Sequence, residues 1–171
     1  MNKNFHSKQN DENYSTQFKE LMAQVPTSVA IVAVAMTNEI RACTISSFMS
    51  VEILNPTIMF VLKNDSRTLE GILSKNAFSI NLLLSDQESL SRNYASFEKN
   101  SDVQAQIDWK TKEGEIPLLI KSKSSMVCQV FSITELHSTT VVIARVIELE
   151  LHSQDNPLIY YARSYPKILE D

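Results

Sequence analysis

Glycine is nearly missing from this chain. Only Gly71 and Gly114 occur among its 171 residues, where average usage of about 7% would supply roughly a dozen. That scarcity excludes whole classes of site. A dinucleotide loop of the G-x-G-x-x-G kind needs three closely spaced glycines and a P-loop needs two; positions 71 and 114 can supply neither. A nucleotide bound here is held without a glycine cradle. Cysteine is as sparse: Cys43 and Cys128 cannot build a disulfide framework, and no C-x-x-C occurs. Both thiols fall in strand-like stretches, which reads as buried, inert sulfur in a reducing compartment. The histidines His6, His137 and His152 are not spaced as a ligand pair, so no metal site is expected. Basic charge is also lacking. The net charge of −4 and a pI near 5.4 do not give the electrostatic footprint of a nucleic-acid binder. The longest apolar run, residues 29–36, cannot span a bilayer. The polar first 18 residues contain no apolar core of a secretory signal. The expectation is a cytoplasmic protein with neither nucleic acid nor membrane as partner.

What the chain does contain is the ordinary globular mixture, 43% hydrophobic and 21% charged, at a length that predicts one domain. Residues 1–15 are polar and aperiodic and read as a mobile tail, leaving residues 16–171 as the domain. Phe18, Leu21, Met22 and Val25 are spaced as on a short amphipathic helix, which Pro26 ends. Residues 29–36 read as a strand buried on both faces, Asn38 and Glu39 as a turn, and residues 40–51 as a second strand. A third strand covers residues 57–62, a helix 67–74, a fourth strand 77–83 and a helix 86–95. That last helix has Ser85 as its cap and Glu88 as the capping-box partner. Residues 96–115, with the lone Trp109, read as an irregular loop; residues 125–135 and 139–151 read as two long antiparallel strands joined at Leu136-His137-Ser138. The last stretch, residues 158–165, ends in a Tyr/Arg cluster. Six or seven short strands with two or three helices predict a mainly β fold with peripheral helices, an antiparallel barrel rather than a doubly wound sheet.

Two hydroxyl clusters stand out. Along a strand, Thr44 and Ser46 share one face while Ser47 points to the other. Ser66 and Thr68 flank Arg67 at a predicted helix start, where free N–H groups and the dipole favour anions. Solvent-facing strand hydroxyls and an ordinary N-cap account for each cluster separately. Together with Lys63 they suit one phosphate group if the fold brings them together.

At this point the sequence resembles a family, the flavin reductase-like proteins, which include the reductase components of two-component flavin monooxygenases. The resemblance runs from about Phe18 to Leu169. Val25-Pro26-Thr27-Ser28-Val29-Ala30-Ile31-Val32 is similar to the family's opening strand. Ala42-Cys43-Thr44-Ile45-Ser46-Ser47-Phe48-Met49-Ser50-Val51 is similar to its most characteristic segment. Leu54-Asn55-Pro56, Asn64-Asp65-Ser66-Arg67-Thr68, Phe78-Ser79-Ile80-Asn81-Leu82-Leu83 and Leu90-Ser91-Arg92-Asn93-Tyr94-Ala95 follow in the family's order. So do Ile116-Pro117-Leu118-Leu119, Cys128 and Pro157-Leu158-Ile159-Tyr160-Tyr161. The resemblance implies a split β-barrel of the FMN-binding type, a homodimer, and FMN or FAD near the subunit interface. It implies that Thr44, Ile45, Ser46 and Ser47, with Ser66, Arg67 and Thr68, approach the ribityl and phosphate groups, and that His137 lies on the nicotinamide side. The family usually has Gly where Ser28 and Ala42 stand, Gly-Asp where Glu135-Leu136 precede the histidine, and Pro at Thr57.

The function the resemblance implies is an NAD(P)H:flavin oxidoreductase that passes hydride from NADH or NADPH to FMN or FAD, and delivers reduced flavin to a partner monooxygenase. Binding and stacking two cofactors carries such a reaction without a catalytic acid or base. The alternatives are a flavin-binding protein of the same fold without reductase activity, which the Glu135-Leu136 substitution favours, and a small barrel that takes another ligand or a partner protein.

Overall fold

The computed structural model describes residues 12–96, 107–112 and 116–168. Three helices, α1 (Glu12–Ala23), α2 (Arg67–Lys75) and α3 (Glu88–Ala95), accompany the strands β1 (Thr27–Ser28), β2 (Ala30–Ala35), β3 (Ile40–Ile45), β4 (Met49–Glu52), β5 (Thr57–Lys63), β6 (Ala77–Leu82), β7 (Trp109–Lys112), β8 (Ile116–Leu119), β9 (Ser124–Glu135), β10 (Thr139–Leu151) and β11 (Ile159–Tyr160). Seven strands form one antiparallel sheet in the order β3-β2-β6-β9-β10-β5-β4. The expected mainly β class with peripheral helices is what the chain adopts. The sheet is not closed: β3 and β4 are its edges. Near that gap a side chain spans it, the Ser47 hydroxyl lying 3.3 Å from both the N and the O of Val61 in β5.

Residues 29–34 of the apolar run are buried on both faces because β2 has a core on each side, and Ala35 and Met36 are half-buried. Ala30, Val32 and Val34 join Phe60, Phe78, Val142 and the α2 residues Leu69 and Ile72 inside the curled sheet. Val29 and Ile31 join Leu83, Leu90, Tyr94 and Leu119 beneath α3 and β8. This is the period-two alternation of a strand between two apolar layers. Helix α2 sits close against β2. A Cβ at Gly71 would come 2.7 Å from Val34 Cγ1, so one of the chain's two glycines buys a close helix–sheet approach. The outer layer is pinned by a buried amide. Asn81 Nδ2 donates to Ile31 O (3.2 Å) and Ser79 Oγ (2.9 Å), while its Oδ1 accepts from Leu119 N and Ser125 Oγ, both at 2.9 Å. All four hydrogen-bonding positions of the amide are used, which is what a fully buried Asn requires.

Several expectations are corrected. Residues 40–51 are not one strand but β3 and β4, which lie at opposite ends of the sheet; residues 46–48 carry the chain between them. Alternation in sequence does not record a change of partner. Helix α3 starts at Glu88 with Gln87 in the cap position and no side-chain cap bond. The Ser85 N–H goes to Asn156 O, Gln87 Oε1 takes the Leu84 N–H at 2.8 Å, and Glu88 pairs with Arg92 at 2.7 Å. Within the expected loop 96–115, residues Trp109–Lys112 form β7 and pair with β8; residues 97–106 and 113–115 lie outside the described residues. Of the expected tail, residues 1–11 also lie outside them, and α1 begins at Glu12. Its stripe of Phe18, Leu21 and Met22 is exposed, and none of its residues is buried. Among the described residues no helix is long and apolar enough to cross a membrane.

Candidate functional site

Where the sheet fails to close there is a cleft of about 520 Å³. Its walls come from β3 and the turn before it, residues 46–47, the end of β5, and the start of α2. All eight residues expected at the flavin line it: Thr44, Ile45, Ser46, Ser47, Lys63, Ser66, Arg67 and Thr68. The two hydroxyl clusters, about twenty residues apart in sequence, are thus brought to one cavity by the approach of β3 to β5. Its volume lies in the ordinary range for small-molecule sites, about 300–1,000 Å³.

The hydroxyls are not equivalent. Ser66 is the N-cap of α2 and accepts from Leu69 N at 3.4 Å. Thr44 donates to Ser91 O of α3 at 2.6 Å, tying β3 to that helix. Ser47 is held by the Val61 backbone. Ser46 has no side-chain hydrogen bond among the described residues, and it lines the cleft. Ser46 also lines a second cavity of about 430 Å³ with Thr44, Arg92, Ala95, Tyr160 and Tyr165. There the Tyr160 and Tyr165 rings lie 5.2 Å apart, and the Arg92 guanidinium stands 5.0 Å from the Tyr165 centroid. The sequence places Tyr160 and Tyr165 in a cluster with Arg163; in the cavity the guanidinium beside them is that of Arg92, from α3. The two cavities share Thr44, Ser46, Ala95 and Ser96, so they adjoin, and the depression they line together has a charged end at α2 and an aromatic end at α3.

The charged end holds an ion-pair network that sequence spacing did not reveal. Glu39, on the turn between β2 and β3, accepts from Arg41 Nε at 2.8 Å and from Arg67 Nη2 at 2.8 Å through both carboxylate oxygens. Arg41 also reaches Glu70 at 2.9 Å and the Arg67 carbonyl at 3.3 Å. The Arg41 and Arg67 guanidiniums hold the Glu39 carboxyl below the usual carboxylate range. Cys43 is half-buried and also lines the cleft, whereas Cys128 is fully buried and its thiol is pushed up to about 12. Of the two thiols only Cys128 sits deep in the core. His137 lies on the exposed turn between β9 and β10 and lines neither cavity. That turn is clipped to the cleft's rim through Asn64, whose Nδ2 donates to Leu136 O at 3.1 Å and whose N donates to Ser138 O at 3.2 Å. Of the positions where the family usually has glycine, Ala42 lines the cleft, and Ser28 pairs with Ile159 of β11.

Comparison with known proteins gives a consistent result. The chain is 24% identical over 152 residues to the reductase component of 4-hydroxyphenylacetate 3-monooxygenase from Thermus thermophilus, covering 89% of this chain and 95% of that one. It is 28% identical over 154 residues to the NADH-dependent flavin reductase StyB of Pseudomonas fluorescens, covering 88% of each. Among solved structures, an NADH:FAD oxidoreductase of Streptomyces globisporus, determined with NAD and FAD fragments, superposes with a TM-score of 0.84 at 21% identity over 94% of this chain and 96% of that one. The family profile described as "Flavin reductase like domain" matches residues 22–169. With that profile covering most of its length, this chain belongs to the flavin reductase-like family.

Proposed function

We propose that the protein is an NAD(P)H:flavin oxidoreductase that reduces FMN or FAD and supplies the product to a partner monooxygenase in the cytoplasm. The observation that carries this reading is the convergence of Thr44, Ser46, Ser47, Lys63, Ser66, Arg67 and Thr68 on one cleft in a chain of this family. The donor set fits a phosphorylated ligand: a helix start, the Ser46 hydroxyl and nearby cations offer an anion hydrogen bonds without glycine. Ser46 and Thr68 bind and orient the ligand's polar chain, and Arg67 and Lys63 meet its phosphate. A flavin held there would supply the redox chemistry, as acceptor of a hydride from reduced nicotinamide. The protein then has to hold two planar groups together, and proximity supplies the acceleration. The split-barrel description fits the open sheet with its bridged gap.

The second reading, a flavin-binding protein without reductase activity, is favoured by one observation. His137 follows Glu135-Leu136 on an exposed turn and lines neither cavity. One experiment separates the two. Under anaerobic conditions with FMN or FAD, NADH or NADPH bleaches the flavin's visible absorption if the protein is a reductase. If flavin binds and neither nicotinamide bleaches it, the flavin-binding reading stands.

A homodimer fits the surface. Leu54, Leu149 and Leu151 are 94%, 63% and 79% exposed, and Val51, Ile53 and Phe131 are also open to solvent. Such exposed apolar surface on β4, the turn after it, β9 and β10 favours a partner. Sedimentation at micromolar concentration should give a dimer, and a clean monomer would count against the interface.

A further inference from the structure

We propose that Glu39 is an internal competitor for the phosphate of the ligand: its carboxylate occupies Arg67, and so it limits the cleft's preference for phosphorylated over unphosphorylated flavin. The inference rests on the flavin reading of the cleft. Both groups line the cleft. One guanidinium nitrogen of Arg67 meets both oxygens of Glu39 at 2.8 Å, which is the contact an incoming phosphate would also make. Arg41 is not open to the same recruitment. Its side chain is only 17% exposed, and it is shared between Glu39 and Glu70. The Arg67 side chain is 71% exposed with Glu39 as its carboxylate partner. It is the cation a ligand can recruit, and Glu39 is what the ligand must displace.

The lining charges give the sign. Arg41, Lys63 and Arg67 stand against Glu39 and Asp65, with Glu70 joined to Arg41 from α2. Removing the Glu39 charge frees a guanidinium and removes a repulsive carboxylate from beside a phosphate dianion. Exposed ion pairs are weak, so the gain is bounded. A change of about fivefold corresponds to ~1 kcal/mol, and repulsion adds to it, which sets the expected gain at about 3–10-fold.

The test is fluorescence titration of wild type, Glu39→Gln and Glu70→Gln with FMN and with riboflavin, which has no phosphate. Glu39→Gln should tighten FMN binding about 3–10-fold and leave riboflavin within about twofold. Glu70→Gln removes a carboxylate from the same network but outside the cleft, and should leave the FMN-to-riboflavin ratio nearly unchanged. Unchanged or weaker FMN binding in Glu39→Gln would overturn the proposal, as would an equal gain in Glu70→Gln. Glu39 is on an exposed turn, so the fold tolerates the change; Glu39→Ala carries the same expectation as a second variant. If the wild type binds neither flavin, the flavin reading itself fails and takes the proposal with it. If it binds both and the ratio does not move, the proposal alone fails.

Discussion

At the α2 end of the depression the polar groups stand on a helix start and a turn: Ser66 caps, Thr68 is buried beside it, and Arg67 lies 71% exposed against Glu39. At the α3 end, Tyr160 and Tyr165 pack together under Arg92, and Ser91 Oγ lies 2.9 Å from the Tyr165 hydroxyl. The first end is electrostatic, and its partners can be exchanged at small cost, since an exposed ion pair contributes about 0–1 kcal/mol. The second is built from rings whose positions are set by packing. It is held by a two-residue turn in which Ala162 and Arg163 have φ of 48° and 60°. On the proposed reading, one end grips a charged group that comes and goes and the other offers a fixed surface to a planar one. Ser46 belongs to both.

The largest effect that can break this contrast is on ligand affinity at the α2 end. A hydrogen bond to a charged group contributes about 1.5–3 kcal/mol, so Arg67→Ala should weaken FMN binding about 10–150-fold. Riboflavin affinity should hardly change. Equal losses for the two ligands would mean that Arg67 supports structure, and the α2 end would lose its claim to be the exchangeable one.

The opposite signature is expected at the α3 end. Tyr165→Ala removes a ring contact with Tyr160, the cover given by Arg92 and a bond to Ser91. Aromatic pairs contribute about 0.5–1.5 kcal/mol and cation–π contacts about 0.5–2 kcal/mol, with partial overlap. Unfolding free energy should fall by about 1–3 kcal/mol. Arg67→Ala, at an exposed position, should change it by no more than about 0.5–1 kcal/mol. Denaturant titration of both variants checks the contrast. A larger stability loss in the arginine variant would reverse the assignment of fixed and exchangeable ends.

The two ends also differ in how legible they were from sequence. The hydroxyl clusters could be read because alternation along β3 and N-cap chemistry at Ser66 are local rules, each contained within a few residues. Their convergence was legible only as an expectation, because the approach of β3 to β5 is a property of the curled sheet. The Glu39–Arg67 pair, 28 residues apart, had no local signature; a charge in a turn reads as solvated until the turn's neighbour is known. The partition of residues 40–51 into β3 and β4 was hidden for the same reason. The Ser85 cap failed because the helix starts two residues later than expected, with Gln87 in the cap position. The Asn156 carbonyl takes the Ser85 N–H that Glu88 would have taken in a capping box, and Glu88 pairs with Arg92 instead. The long β9–β10 pair was the clearest element, since both strands and their turn are contiguous in the chain.

The smallest expected effect sharpens the account of the fixed end. Tyr161 and Ser164 exchange backbone hydrogen bonds of 3.0 and 2.9 Å across the turn, and the two residues between them lie in the left-handed region without being glycine. For an L residue that conformation costs about 1–2 kcal/mol. Glycine relieves it but loses about 0.5–1 kcal/mol of chain entropy on folding. The Ala162→Gly variant should therefore be more stable by about 0.5–1 kcal/mol, or roughly 1–4 °C in Tm for a chain of this length. The Ala162 N–H that bonds Ala23 O at 2.8 Å is kept, so the anchor to α1 survives the change. Calorimetry of the variant decides. A lower Tm would show that the alanine methyl contributes packing that offsets its conformational cost. A higher Tm with unchanged flavin affinity would show that the strain is not needed to place the rings. A higher Tm with weaker flavin binding would show that the strained turn is what fixes Tyr160 and Tyr165 where a planar ligand meets them.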